Sequence, residues 1–346
     1  MASQESLNGL LSMSHQRTIR YAARLLLELT FWRLSLSESN TYKADLLLLT
    51  VTLLAAISWI FSKEAVQLMP PLLFLSLRFF CAGLLLALIA IRQFAQLTRE
   101  QIFQAVRVGM VFAAGMSCWI MGLKFGTHVG EGAFLTSLGV VLVPVIGRLV
   151  FAERPPASTW LALPIAIAGL ALLSLENGLN FAAGQSFYVI AAVLFAIYFN
   201  LNTRAANLRT VSDQGGAVNQ RAPVPAMVLT AMVLMTVGAI SGALSLLLEP
   251  WRPTFENFTG EIFMWVALSA VVGSSARFLL QTYAQSLSTQ SHGVVIMVLE
   301  PVWTALIASV WFGEEMSLMQ VIGCALIFTA LLAGKASALR KFLRRA

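Results

Sequence analysis

The chain has 346 residues, 58% of them hydrophobic and only 11% charged, with a formal net charge of +7. A soluble protein carries about 25% charged residues, so there is too little charge here to cover a water-facing surface of this size. A soluble enzyme and a nucleic-acid-binding module are both excluded as readings of the positive charge, and a lipid bilayer is implied as the solvent for the apolar excess.

Residues 1–43 carry five basic side chains, Arg17, Arg20, Arg24, Arg33 and Lys43. They lack the compact apolar region and small-residue cleavage site of a secretory signal, and are read as a cytoplasmic N-terminal extension. Within it, Tyr21 to Leu34 mixes apolar residues with Arg24, Glu28 and Arg33. That fits either a helix lying on the inner membrane surface or an unstructured start.

From residue 44 onward apolar stretches recur without a hydrophilic insertion large enough to fold alone. A helix needs about 20 largely apolar residues to cross the hydrocarbon. Ten stretches qualify, at about 45–62, 66–91, 104–122, 128–150, 157–175, 184–203, 224–248, 261–284, 291–312 and 317–334. Pro70-Pro71, Pro155-Pro156, Asn177-Gly178 and Glu249-Pro250 punctuate them, as helix starts and stops do. Cys81, Cys118 and Cys324 all fall inside apolar stretches, and are expected as buried thiols with no disulfide or metal framework.

With the N-terminus in the cytoplasm, 17 of the 23 Lys and Arg residues fall on the inner side. Only Lys63, Lys124 and Arg252 fall outside, while Arg78, Arg107 and Arg277 lie in or near spans. This asymmetry predicts both termini in the cytoplasm of a cell (inner) membrane protein, with 336–346 as a basic cytoplasmic tail.

Sliding the chain on itself by 161 residues aligns Gly132 with Gly293 and Phe151-Ala152-Glu153 with Phe312-Gly313-Glu314. Leu138, Val141, Ile146 and Leu170 meet identical partners at the same offset. The shift corresponds to five spans. Five is odd, so the second half enters the membrane in the opposite sense, as in the inverted repeats of secondary transporters. The expected fold is an all-α membrane protein of ten transmembrane helices in two inverted five-helix repeats, 44–176 and 177–335.

Several segments resemble the EamA-type permeases of the drug/metabolite transporter superfamily. Leu77-Arg78-Phe79 is similar to the Arg-Phe pair of the second span. Phe134-Leu-Thr-Ser-Leu-Gly-Val-Val-Leu-Val-Pro144 resembles the fourth. Leu299-Glu300-Pro301-Val302, with Phe312-Gly313-Glu314 after it, resembles the ninth span and its exit, and Val321-Ile322-Gly323 the tenth. The resemblance covers about residues 45–335. It implies ten helices, two EamA repeats, and export or exchange of small metabolites. One departure stands out: Gly139-Val140 occupies the positions matching Glu300-Pro301, with Pro144 about one turn later.

Ionisable residues in hydrocarbon cost at least ~2.5–3.5 kcal/mol on insertion scales and usually face a cavity or a partner. Glu300 lies near the middle of its span, followed by a proline that frees a backbone carbonyl. It is either a substrate or proton site, or an acid that fixes helix packing. Arg277 falls at nearly the same depth, so it is either the partner of Glu300 or a holder of an anionic substrate group through its planar fork. Arg78, in mid-span, is a candidate for the same site or for packing between helices. Lys63 and Glu64 are expected at the outer end of the first span. Glu131 and His292, matched by the offset, stand near span entrances. Glu153 and Glu314 are read as helix-end contacts.

Trp59, Trp119, Thr136, Tyr198, Asn200, Gln281 and Tyr283 could supply aromatic walls and orienting hydrogen bonds for a small solute, or simply pack helices. Gly238-x-x-x-Gly242 and Ser269-x-x-x-Gly273 are close-packing patterns, within the bundle or in a homodimer.

There is no Walker loop, zinc spacing or catalytic triad in the sequence, so no cofactor is expected. Energy for transport would come from a gradient of solute or protons. The leading expectation is a secondary permease for small organic metabolites such as amino acids, monomeric or homodimeric. The competing readings are a membrane enzyme acting on a lipid-linked substrate and a non-transporting sensor.

Overall fold

The computed structural model describes residues 43–125, 129–153, 155, 157–174, 183–207, 209–212, 218–287, 294–312, 318–319, 321–323, 325–327 and 329. The surface helix expected at Tyr21 to Leu34, the tail 336–346, Asn177-Gly178, Cys324, His292, Glu314 and the side chain of Glu131 lie outside the described residues.

The described chain is helical apart from one short ribbon. Helix α1 spans Lys43–Leu68, α2 Pro71–Ile89, α3 Arg99–Phe125, α4 Val129–Phe151, α5 Ala157–Ser174, α6 Ala183–Ala206 and α7 Ala226–Leu248. Helix α8 spans Gly260–Leu287 and α9 Glu300–Phe312. Six of these, α1, α2, α3, α6, α7 and α8, are long and apolar enough to cross a membrane, and shorter apolar helices run Leu135–Phe151 and Thr159–Gly169. The chain is thus a multi-pass membrane protein. Between α6 and α7 the expected loop is instead an antiparallel ribbon, Arg209–Ser212 against Val218–Arg221.

Membrane burial inverts the usual surface rule. Leu247 and Val310 are 80% and 88% exposed, while Ser241, Ser245, Ser269 and Ser274 are fully buried. Lipid solvates the leucines, while Ser274 accepts from Arg78 of another helix and Ser245 bonds Glu249 and Trp251. Cys81 belongs to the outward set: it is exposed and not buried as expected, because its side of α2 faces away from the bundle.

Helices α2 and α7 pack at the distance their small residues allow. A Cβ on Gly238 would stand 2.6 Å from the Phe80 backbone nitrogen, and one on Gly83 2.7 Å from that of Met235. Ser76 Oγ donates to the Gly238 carbonyl at 2.9 Å, and Gly242 faces the same serine. The Gly238-x-x-x-Gly242 pattern therefore serves contact within the bundle.

The Pro71 end of α2 and the Leu248 end of α7 are joined by one carboxylate. Pro71 opens α2 without a side-chain cap from its own segment. Glu249 supplies it, accepting from Leu72 N at 3.0 Å and Leu73 N at 2.9 Å. Ser245 Oγ donates to Glu249 at 2.7 Å and accepts from Trp251 Nε1 at 2.8 Å. An acid beside free N–H groups at a helix N-terminus is the favourable arrangement.

Two helices depart from regular geometry. Helix α8 carries a π-helical turn at Val271–Ala276 between its α-helical parts Gly260–Ala270 and Arg277–Leu287. The expected ninth span is broken: a short helix, Val294–Met297, turns at Val298 and Leu299 before α9 starts at Glu300. Pro301 therefore sits in the first turn of a new helix, where its missing N–H costs nothing, and does not kink a continuous one. Helix α1 is longer than expected and runs on to Leu68, which puts Lys63 and Glu64 inside it and not at its end.

Candidate functional site

A cavity of about 120 Å³ lies where these irregular segments meet the first four helices. Ser58 and Trp59 of α1, Arg78 of α2, Phe112, Met116 and Trp119 of α3, and Thr136, Ser137 and Gly139 of α4 line one part. Phe195, Tyr198 and Phe199 of α6, Arg277, Phe278 and Gln281 of α8, Met297 and Glu300 line the rest.

Glu300 is the one carboxylate among the described lining residues. Its position in the first turn of α9 lets the helix dipole favour its negative charge. Trp59 Nε1 donates to its Oε1 at 2.9 Å, and Arg277 Nη2 approaches its Oε2 at 3.4 Å. Their side chains retain 19% and 16% exposure, so the pair faces the cavity and is not sealed in packing. Arg277 follows the π turn directly, and its guanidinium lies 4.5 Å from the Phe278 ring centre.

Arg78 is 2% exposed and takes no carboxylate partner among the described residues. Its Nε donates to Ser274 Oγ at 2.6 Å and Nη1 to Ser62 Oγ at 2.7 Å. Its Nη2 donates to Ser58 Oγ at 2.6 Å and to the Gly273 carbonyl at 2.9 Å. Two of these acceptors belong to the π turn. A π turn leaves carbonyls outside the regular ladder, and Arg78 uses one of them. It thereby ties α1 and α2 to the segment that aims Arg277.

Aromatic rings form much of the wall. Trp59 and Trp119 meet edge-on at 4.8 Å, and Phe112 stacks on Tyr198 at 4.1 Å and meets Phe278 at 5.1 Å. Gln281, one turn beyond Arg277, is 3% exposed, and its Oε1 has no hydrogen-bond partner. Thr136 Oγ1 donates back to the Gly132 carbonyl at 2.8 Å.

Eight of the ten residues singled out from sequence thus come together: Trp59, Arg78, Trp119, Thr136, Tyr198, Arg277, Gln281 and Glu300. Asn200 and Tyr283 stand apart. Asn200 Nδ2 donates to the Val143 and Ala196 carbonyls, a structural tie between α4 and α6. Tyr283 is 37% exposed on α8. Ser58, Ser62 and Ser274, which hold Arg78, escaped the sequence reading, as did Phe112 and Met116. The last two share a helical face with Trp119 at steps of four and three residues, which is a legible signal.

The departure at Gly139 has a steric reason. Its Cβ would stand 2.7 Å from the Ala192 carbonyl oxygen, so α4 and α6 touch backbone to backbone at the point matching Glu300. An acid there would drive them apart. Glu153 makes the helix-end contact expected of it, 3.1 Å from Arg204 Nη1.

A multi-pass helical bundle with a charged, aromatic-walled cavity and a broken helix at its edge has the form of a membrane transporter. The model of the EamA-like transporter family matches residues 42–175 and again 182–333, and the chain belongs to that family. It is similar to an uncharacterized transporter of Archaeoglobus fulgidus, 26% identical over 208 residues that cover 60% of this chain and 67% of the relative. A protein of known crystal structure matches with a TM-score of 0.67 over 84% of this chain and 98% of its own, at 20% identity, a likeness of fold. Membership implies a small-molecule substrate.

Proposed function

We propose that the protein is a secondary permease for small organic metabolites, amino acids and related compounds among them, working by alternating access in the cell inner membrane. In this reading 44–176 and 177–335 are two inverted five-helix repeats, ten spans in all, with the extension 1–43 and the tail 336–346 in the cytoplasm. The observation that carries it is the cavity itself, walled by helices from both family matches, with the Arg277–Glu300 pair exposed to it. A half-helix beginning at a charged residue, opposite a helix with a π turn, supports the same reading, because discontinuous helices frame transporter sites. The site residues would divide the work: Arg277 and Glu300 engage the polar end of the solute, Gln281 and Thr136 orient it, and Trp59, Trp119 and Tyr198 enclose its body. Glu300 is also the candidate carrier of a coupled proton.

Purified protein in liposomes, screened with labelled metabolites with a pH gradient on and off, tests the proposal. Saturable uptake above empty liposomes supports it. No movement of any solute across a broad panel contradicts it.

A further inference from the structure

We infer that the cavity takes its solute as an anion that also carries a hydrogen-bond donor beside the charged group, as in a 2-hydroxycarboxylate. This rests on the transport reading and narrows its solutes to anions, with zwitterionic amino acids bound more weakly. Among the described lining residues three side chains carry formal charge, Arg78, Arg277 and Glu300, which leaves one positive charge in excess. Glu300 already serves Arg277 and Trp59. The four acceptors around Arg78 are all neutral, so they satisfy its N–H groups without cancelling its charge.

A buried ion without a counter-ion is strongly disfavoured. Binding a monoanion makes the loaded wall formally neutral, whereas a neutral or zwitterionic solute leaves the excess in place.

Two buried, unpartnered atoms give the second, independent indication. Arg277 Nε is a donor with no partner, on a guanidinium whose contact with Glu300 is long at 3.4 Å. A carboxylate could take that edge of the planar fork. Gln281 Oε1 is an acceptor with no partner one turn away. It asks for a donor on the solute, which a simple carboxylate lacks and a neighbouring hydroxyl supplies.

The test uses two matched sets on the purified full-length protein: lactate, lactamide and alanine, then 3-phenyllactate, its amide and phenylalanine. Binding is read by tryptophan emission, since Trp59 and Trp119 line the cavity, with Trp59→Phe as the control for the origin of the signal. Flux is read in liposomes. The expected result is half-saturation by a hydroxycarboxylate at a concentration at least tenfold below that of its amide and its amino acid. Arg277→Gln should abolish that preference and Arg277→Lys keep part of it. Amide or zwitterion binding as well as the anion overturns the inference, as does no binding by any member. Anion binding without flux would uphold the inference and contradict transport. Equal flux of all three forms would uphold transport and contradict the inference.

Discussion

Arg277 reaches Glu300 across 3.4 Å from a position immediately after a π turn, and Glu300 receives it from the first residue of a new helix. Both partners therefore stand where their helices are irregular. Regular helices would satisfy their own backbone and fix the side-chain direction by the 3.6-residue period. A π turn and a chain break each change that direction locally, and here they bring a cation and an anion to one cavity. The contact is single and long, which suits a pair that must part for a solute more than one that locks a fold.

The grip on Arg78 is the opposite kind of contact. Four short hydrogen bonds hold it to α1 and the π turn. Arg78→Lys keeps the charge but cannot reproduce the planar fork. It should cost about 2–4 kcal/mol, the scale of one or two charge-assisted hydrogen bonds. Thermal unfolding of the detergent-purified variant, followed by size-exclusion chromatography, checks this. A melting point equal to that of the unaltered protein would contradict the assigned role.

Ala152 has φ of 54°, the left-handed conformation that helices adopt just past their C-terminus. Glu153 N donates back to the Gly147 carbonyl at 2.9 Å, which closes the turn at this helix end. A Cβ in this conformation costs roughly 1–2 kcal/mol. Ala152→Gly should therefore stabilise the protein by about 1 kcal/mol. The matching position of the second half is Gly313, the residue this conformation favours. A lowered melting temperature would refute the cap.

Gly238 and Gly260 make a matched comparison. A Cβ on Gly238 meets the Phe80 backbone at 2.6 Å, whereas one on Gly260 meets nothing within 4 Å. Gly238→Ala should destabilise by about 1–3 kcal/mol, the usual cost of overpacking, and Gly260→Ala should be near neutral. Equal melting points for the two variants would show that the α2–α7 contact is looser than described.

Glu249 closes the N-terminus of α2 from another helix. Glu249→Ala removes the acceptor for two backbone N–H groups and should cost about 1–2 kcal/mol, as loss of a cap does. Glu249→Gln keeps an amide oxygen in place and should recover about half. If Gln were as damaging as Ala, charge and not acceptor geometry would be the operative property.

Much of this was readable in advance because apolar runs of membrane length are hard to miss. The fourth and seventh expected spans lie within about two residues of α4 and α7. The irregularities were not readable. The π turn is written in Val271-Val272-Gly273-Ser274-Ser275-Ala276, small residues that suit a straight helix equally well. Pro301 signalled a disruption, but the break falls before it. Rotational phase was the other gap. Which face of a helix turns to the cavity depends on the helices packed around it, so Asn200 and Tyr283 were not separable in sequence from Tyr198 and Gln281, although only the last two reach the cavity. Arg78 stands out in the sequence, but its serine partners Ser58, Ser62 and Ser274 carry no spacing that links them to it.

Solute is expected to pass through the cavity held between Arg277 and Glu300. The direct measurement is the initial rate of solute uptake into liposomes by the unaltered protein, Arg277→Gln and Glu300→Gln, each shown to be folded by its elution profile. Saturable uptake that falls at least about tenfold in both variants, the loss of about 1.4 kcal/mol or more of differential binding, is the result expected. Uptake unchanged in both folded variants would contradict the claim.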